Sequence, residues 1–326
     1  MNFEDYSFKS ESNKTADRCI LCGQEIAVFK KNVFDTRFGI EGYSNILQCG
    51  SCGLIQLLSS RTSDELKSLY ETYYNFGGNK DGLYAEIRNA FFASSLYRLW
   101  MVVDGDLCFH SRRGNGRLLD LGCNEGQGLH IYNKNGFTAE GLEVNERAAG
   151  EAKKRGFRVF TDPLEAFEPE KSYDVVVLSH VLEHSVKPEE MLANVARILK
   201  PDGQAWISCP NAKSLQRNIF GRYWINWHIP FHITFFSVTT LKNLLNSTGF
   251  ETIKIKFATP GLWIAQSLIA TLFAKKGRKN YALRSPILLG LLMFFIRTIL
   301  FPLLWFGNFL GRGDCLVIEA RKKQAI

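Results

Sequence analysis

Residues 117–128 read Arg-Leu-Leu-Asp-Leu-Gly-Cys-Asn-Glu-Gly-Gln-Gly, an apolar strand that runs into a glycine-rich turn with a predicted helix behind it. Gly122 and Gly126 let the backbone turn tightly and approach a ligand, and the free N–H groups of the helix point toward the same place. Asp120 precedes the first glycine, and Glu143 ends the next predicted strand, where a carboxylate can accept both hydroxyls of a ribose. The stretch therefore predicts a nucleoside-binding turn between a strand and a helix.

Strand and helix signals alternate around this turn. The valine-rich run Tyr173–Ser179 is typical of a parallel strand buried on both faces, and Pro188 stands where a helix with an apolar stripe can begin. The other predicted elements are strands at 117–121, 138–144, 158–160 and 204–209, and a helix at 146–155. The alternation predicts an α/β fold, Rossmann-like and doubly wound around a mostly parallel sheet.

The turn resembles the first motif of the class I S-adenosylmethionine-dependent methyltransferases, Asp-x-Gly-x-Gly-x-Gly. Asp120, Gly122 and Gly126 match it. Asn124 replaces the middle glycine, and Asn tolerates a left-handed backbone better than most residues. A dehydrogenase fingerprint is the rival interpretation, but it ends G-x-G-x-x-G and this loop does not.

The resemblance implies S-adenosylmethionine as cofactor and a seven-stranded sheet whose last strand is antiparallel, with 250–257 and 315–320 as its last two strands. It implies that Glu143 binds the ribose and that Asp162 and Leu164 belong to the adenine-contacting segment. Ser179, at the end of the fourth strand of the sheet, is the remaining cofactor-binding candidate.

Two pairs of cysteines precede the α/β region. Cys19 and Cys22 form one C-x-x-C, Cys49 and Cys52 form a second, and a glycine directly follows each pair. Residues 1–14 are polar with no apolar signal run, so we expect a reducing cytosol, where cysteines more often bind metal than form disulfides. Four thiolates suit tetrahedral zinc and leave no open coordination position. The sequence predicts a structural zinc ribbon with a hairpin near 39–42.

This N-terminal part resembles a subgroup that includes sugar C-methyltransferases and glycan or natural-product cluster enzymes. The resemblance rests on Cys-Gly-Ser-Cys-Gly-Leu-Ile-Gln at 49–56 and on the tyrosine-rich segment 69–74, whose Tyr73 and Tyr74 are candidates to line the site. In related sugar C-methyltransferases a Glu-His pair precedes an aromatic-Ser segment. His232 matches that His, whereas Phe231 stands where the Glu would be. Hydroxyl methylation is therefore at least as well supported as C-methylation.

Methyl transfer to a hydroxyl or a carbon acid needs a base that removes the acceptor's proton. His232 is the first candidate, and His180 and His184 are the others, because they follow a strand at the carboxyl end of the sheet. Metal binding by these histidines with Glu183 is not expected. In the zincin spacing the Glu directly follows the first His, and here Glu183 precedes the second.

The segment 286–310 contains 18 Ile, Leu, Met, Phe and Trp residues in 25 and a single charge, Arg297. A helix of this length can span a bilayer. Because the strands on either side are predicted to pair, the segment must leave and return on one side, and Arg297 and Pro302 also count against a span. With the basic cluster 275–279, the tail predicts either an interfacial membrane contact or helices that cover the sheet or form a dimer.

Composition and length complete the expectations. The chain has 326 residues, 46% of them hydrophobic, and a net charge of +8, which excludes a disordered protein and permits an anionic partner. The predicted domains are a zinc ribbon (1–58), a helical connector or lid (59–113), and a methyltransferase domain (114–326) with an apolar helical insertion at 259–312. The expected location is the cytoplasm, or the inner face of the membrane, and a homo-oligomer is left open.

The predicted function is methylation of oxygen or carbon on a small-molecule or glycan acceptor, including a lipid-linked sugar. One alternative is a catalytically silent S-adenosylmethionine-binding scaffold in a membrane glycan assembly. Another is an RNA methyltransferase, although nucleic acid is not the expected partner. Between the cysteine pairs only Lys30, Lys31 and Arg37 are basic, and no Asn-Pro-Pro-Tyr-type motif follows Val177.

Overall fold

A computed structural model describes residues 18–58, 63–73 and 94–324. The strands are β1 (Ile26–Val33), β2 (Ser44–Cys49), β3 (Ile55–Leu57), β4 (Arg117–Leu121), β5 (Thr138–Leu142), β6 (Val159–Phe160), β7 (Tyr173–Ser179), β8 (Leu199–Pro210), β9 (Thr234–Phe235), β10 (Phe250–Ala258) and β11 (Cys315–Lys322). The helices are α1 (Ser63–Tyr73), α2 (Ser95–Asp104), α3 (Gln127–Lys134), α4 (Glu146–Lys154), α5 (Pro188–Ile198), α6 (Leu215–Phe220), α7 (Val238–Ser247), α8 (Gly261–Phe273), α9 (Pro286–Phe295) and α10 (Phe301–Phe309).

The main sheet has seven strands in the order β10-β11-β8-β7-β4-β5-β6. Neighbours from β6 to β8 pair in parallel, whereas β11 runs antiparallel to both β8 and β10. The central strand β7 is buried on both faces. Val176 and Leu178 belong to one hydrophobic cluster, and Val175 and Val177 to another. The predicted α/β, Rossmann-like sheet with an antiparallel last strand is confirmed.

Strand β8 differs from its prediction because it begins at Leu199 rather than at residue 204. Tyr173 pairs with Leu199 and Val175 pairs with Gln204, so β8 contains extra residues at this point. Asp202 has a φ of 61° within this irregularity. The Pro-Asp-Gly sequence at 201–203 therefore forms a bulge inside the strand instead of a loop before it.

A second sheet joins the N-terminal cysteine module to the rest of the chain. Its strand order is β1-β2-β3-β9, and β9 comes from the segment that follows His232. Ile55 of β3 pairs with Phe235 of β9, and their cluster includes the buried indoles of Trp224 and Trp227. The module therefore shares a hydrophobic core with the methyltransferase domain.

The insertion between the last two strands is helical, as predicted. Ala258 of β10 pairs with Cys315 of β11, so the segment between them leaves and returns at the same end of the sheet. It begins with α8. After α8, α9, a π-helical turn at Ile296–Leu300 and α10 follow one another without a break and form a single helix, Pro286–Phe309. Pro302 lies shortly after the π-helical turn and does not end the helix.

Candidate active site

The turn after β4 has the strained geometry that its sequence predicts. Gly122 and Gly126 have φ values of 72° and 78°, and Asn124 takes the left-handed conformation at 50°. A Cβ at Gly122 would lie 3.0 Å from a methyl of Val181, and a Cβ at Gly126 would lie 2.9 Å from the ring of Phe157. The turn therefore needs glycine for conformation and for space, and it abuts the segment that follows β7.

Glu143 faces this turn from the end of β5. Its carboxylate accepts the Asn124 N–H at 2.9 Å and the Asn145 N–H at 2.8 Å, which uses two of about four acceptor positions. Burial raises the pKa of Glu143, although these two donors act in the opposite direction. The side-chain oxygen of Asn124 is buried without a hydrogen-bond partner. These unused acceptors suit the hydroxyls of a ribose, so the residues present fit S-adenosylmethionine.

Asp120 lies beneath the turn in a buried polar network. Burial first, and the nearby Glu143 second, raise the pKa of Asp120 to about 7. A Cβ at Gly128 would lie 2.9 Å from the Asp120 carboxylate and 3.3 Å from His110 Nε2, so both side chains crowd this glycine. Tyr97 Oη hydrogen-bonds His110 Nδ1 at 2.6 Å. Sequence reasoning missed Tyr97 and His110 because their segment carries no recognisable motif spacing.

The other predicted cofactor residues lie at the ends of neighbouring strands. Asp162 is exposed just beyond β6. Leu164 is only 6% exposed and packs in the core. Ser179 Oγ donates to the Leu107 carbonyl at 3.3 Å and accepts from Ser208 Oγ at 3.4 Å.

His180 precedes Val181, the residue whose methyl group would lie 3.0 Å from a Cβ at Gly122 in the turn after β4. It follows β7 with a φ of 56°. Its Nδ1 lies 3.3 Å from Glu183 Oε1, and its ring packs edge-on against Trp263 at 5.3 Å between centroids. The His180 side chain is 28% exposed, whereas that of Glu183 is 1% exposed. A buried carboxylate, with no hydrogen-bond partner among the described residues, therefore lies beside a partly exposed imidazole at the end of a central strand.

His184, His228 and His232 form a buried layer behind this pair. His184 Nδ1 hydrogen-bonds the Phe231 carbonyl at 2.9 Å, and His232 Nδ1 hydrogen-bonds the Asn226 carbonyl at 2.8 Å. His232 Nε2 lies 3.3 Å from His228 Nδ1. Burial first, then neighbouring His184, lowers the pKa of His232 to about 3. Both ring nitrogens of His232 are thus engaged, and the ring is neutral at pH 7.

Glu183, His184 and His232 also bring ligand-type atoms within 4.8 Å of one another. The zincin spacing that speaks against a metal site concerns residues 180–184 alone. The fold adds His232 from a distant segment, so this spacing does not exclude a metal at the three-residue cluster.

Of the two candidate tyrosines, Tyr73 lies within the described residues. The Tyr73 ring lies 6.2 Å from that of Phe38, which in turn contacts the rings of His228 and Phe231. Tyr74 lies outside the described residues. Phe38 therefore connects Tyr73 to the histidine layer.

The four predicted metal ligands lie close together in the N-terminal cysteine module. Cys19, Cys22, Cys49 and Cys52 place all four sulfur atoms within 4.8 Å of one another. The Cys19–Cys52 and Cys22–Cys49 sulfur distances are both 3.5 Å. Sulfurs around tetrahedral zinc are about 3.8 Å apart, and a disulfide is about 2.05 Å long. The cluster has the size of a zinc site and is too open for disulfides.

The sequence profile of a methyltransferase domain matches residues 84–255, more than half of the chain. The ubiquinone biosynthesis O-methyltransferase of Rickettsia canadensis (strain McKiel) is 24% identical over 211 residues, which cover 61% of this chain and 87% of that protein. The 27-O-demethylrifamycin SV methyltransferase of Amycolatopsis mediterranei (strain S699) is 28% identical over 102 residues, 28% of this chain and 38% of that protein.

Among solved structures, a SAM-dependent methyltransferase from Archaeoglobus fulgidus aligns with 22% identity and a TM-score of 0.44, covering 70% of this chain and all of that one. The profile match includes the turn after β4, Glu143 and the His180–Glu183 pair. The chain therefore belongs to the methyltransferase-domain family and is a class I S-adenosylmethionine-dependent methyltransferase.

Proposed function

We propose that this enzyme methylates a hydroxyl group of a small-molecule or glycan acceptor, with a lipid-linked sugar as the preferred class. The observation that carries the proposal is the His180–Glu183 pair next to the cofactor turn. Two relatives that act on oxygen by name, the ubiquinone and rifamycin methyltransferases, support the choice of atom. The apolar insertion supports an acceptor that carries a lipid.

The chemistry assigns one task to each member of the pair. The cofactor supplies an electrophilic methyl group on a sulfonium sulfur. His180 would take the proton of the acceptor hydroxyl on Nε2, so that this oxygen could accept the methyl group as the bond from the methyl carbon to the sulfonium sulfur breaks and a neutral thioether leaves. Glu183, whose Oε1 lies 3.3 Å from His180 Nδ1, stabilises the imidazolium that forms through its negative charge. Burial acts to raise the pKa of Glu183, but nearby His180 and the neighbouring histidines hold that pKa below its usual value, so the carboxylate is ionised.

His180 replaces His232 as the preferred base. A general base needs a lone pair that an acceptor can reach, and His232 is buried with both ring nitrogens engaged. We assign His184 and His232 to the packing behind Glu183. Phe231, fully buried against Phe38 and His228, supplies no carboxylate for enolate formation, so C-methylation is the weaker proposal.

The alternatives have less support from the described residues. For an RNA substrate the ribbon would need free cations, and Arg37 instead donates to the Ile225 carbonyl at 3.5 Å. For a silent scaffold, the oriented His–Glu pair would have no role. We also propose that the ribbon binds a structural zinc ion. The ribbon strand β3 pairs with β9 just beyond His232, so this zinc would stabilise the segment that carries the histidines.

The test is transfer of a labelled methyl group from S-adenosylmethionine to hydroxylated quinone precursors, nucleotide sugars and lipid-linked glycans, followed by mass spectrometry of the product. We expect a methyl ether on one acceptor class. A methyl group on carbon would contradict O-methylation. Tight cofactor binding with no turnover on any class would favour the scaffold, and salt-sensitive methylation of RNA would favour the RNA enzyme.

Cofactor binding is expected to depend on pH through Asp120. Its pKa of about 7 means that the carboxyl is protonated below pH 7 and ionised above it. A cationic cofactor favours the ionised form, so affinity should rise about tenfold from pH 6 to pH 8. Calorimetry at both values measures the change, and Asp120→Asn should remove most of it. An equal pH dependence in Asp120→Asn would show that another group, Glu143 or the cofactor's own amine, is responsible.

A further inference from the structure

The helix Pro286–Phe309 exposes an unusually large apolar surface. It has a mean hydropathy of 2.4 over its most apolar window, of which only 11% is buried. The large side chains more than half exposed are Ile287, Leu291, Phe294, Phe295, Ile299, Leu303, Trp305, Phe306 and Phe309. Soluble monomers rarely expose contiguous apolar patches beyond a few hundred Å², so this face is built to be covered.

The only charge in this helix points away from that face. Arg297 forms an ion pair with Asp104 of α2 and donates to the Thr259 carbonyl at 3.1 Å. The Arg297 side chain is 13% exposed. Arg297 was expected to oppose membrane contact, but the structure places its charge against a carboxylate inside the protein, although its Nε has no hydrogen-bond partner among the described residues.

The opposite face of the helix is fastened to the protein. Ile296 and Leu304 pack with Ile264 and Ala265 of α8 in one buried cluster. Ala258, the last residue of β10, pairs with Cys315, the first residue of β11, so the chain returns to the end of the sheet from which it left. The helix therefore lies along the protein surface with its other face exposed. This arrangement suits insertion of the exposed face into one leaflet of a bilayer, and it does not suit a helix that spans the bilayer.

Charge identifies the covering partner. Residues 259–313 contain seven Lys and Arg residues and no Asp or Glu. Apart from Arg297 these are Lys275, Lys276, Arg278, Lys279, Arg284 and Arg312. The loop before α9 that carries most of them is held in place, because Asn280 N donates to the Arg37 carbonyl at 3.1 Å and Phe38 bridges to Lys279. A fixed cationic loop beside an apolar helix matches anionic headgroups above acyl chains.

We propose that Pro286–Phe309 inserts its exposed face into the interfacial layer of an anionic lipid bilayer, with the basic loop 275–284 on the headgroups. The inference stands apart from the acceptor proposal, since it concerns binding and not turnover. It would bring His180 close to the bilayer, because α8 beneath this helix carries Trp263, which contacts His180. A hydroxyl attached to a membrane lipid would then reach the base.

The experiment is co-sedimentation of the full chain with vesicles of neutral phosphatidylcholine and with vesicles that also contain phosphatidylglycerol. We expect binding to the anionic vesicles, at least about tenfold weaker binding to neutral ones, and weakening by salt. Leu291→Ser with Phe294→Ser should lower anionic-vesicle binding by at least about tenfold, and Lys275→Glu with Lys276→Glu should do the same.

The matched control is Val28→Ser with Ile253→Ser, two exposed apolar residues outside the insertion, which should bind vesicles normally. Unchanged S-adenosylmethionine binding in every variant shows that each one folds. Equal binding of the helix variant and the control would overturn the proposal. A second result would also overturn it: the intact chain forms a dimer in lipid-free solution and does not bind vesicles, and the helix variant is monomeric. The exposed face would then bind a second copy of the chain.

Discussion

His180→Ala is expected to slow methyl transfer by about 10²- to 10⁴-fold and to leave S-adenosylmethionine affinity within about twofold. The imidazole is the accessible base at the end of β7, whereas the cofactor is held by the turn after β4 and by Glu143. Single-turnover rates with labelled cofactor give the loss, and added imidazole should restore part of the rate to the variant because the deleted ring leaves space for it.

Glu183→Gln separates positioning from catalysis. The amide keeps the size of the side chain but not the negative charge, so we expect a smaller loss than for His180→Ala and no recovery with imidazole. His232→Ala is the control for the buried layer and should affect melting temperature more than single-turnover rate. Full turnover by His180→Ala, together with loss in a folded His232→Ala protein, would return the role of base to His232.

Cys22→Ser should remove bound zinc and destabilise the chain by several kcal/mol, because structural zinc sites contribute folding energy directly. The consequence should extend to activity, since β3 of the ribbon pairs with β9 next to the histidine layer. Elemental analysis and thermal unfolding of the purified protein measure both effects. Cys108→Ser, a cysteine outside the cluster, is the control and should retain the metal.

One zinc per chain is the expected stoichiometry. A second metal equivalent that survives in Cys22→Ser would assign an ion to the Glu183, His184 and His232 cluster. A metal-free protein with the same melting temperature as Cys22→Ser would contradict the zinc ribbon.

The sequence was most informative where structure is set locally. The glycine turn, the left-handed Asn124 and the doubly buried strand β7 follow from residue type and periodicity within a few positions. The cysteine cluster could be predicted equally well, because each C-x-x-C pair forms a local turn, and the four sulfur atoms of the two pairs lie close together.

Contacts between distant segments could not be predicted. Strand β9 is two residues long, too short for alternation of polar and apolar residues to identify it, yet it completes the ribbon sheet. The partner of Arg297 is Asp104, far away in the chain, so hydropathy alone assigned that charge to the wrong environment. The choice between His180 and His232 depends on burial and ring contacts, which tertiary packing decides and spacing does not.

Calorimetric binding of S-adenosylmethionine to the zinc-loaded chain and to Glu143→Ala tests the cofactor site most directly. We expect the intact chain to bind and the variant to bind about 100-fold more weakly, because two hydrogen bonds to a charged carboxylate are lost. Glu146→Ala, an exposed carboxylate at the start of α4, should bind like the intact chain. Absence of binding by the folded, zinc-loaded chain, or equal affinity in Glu143→Ala, would contradict the account.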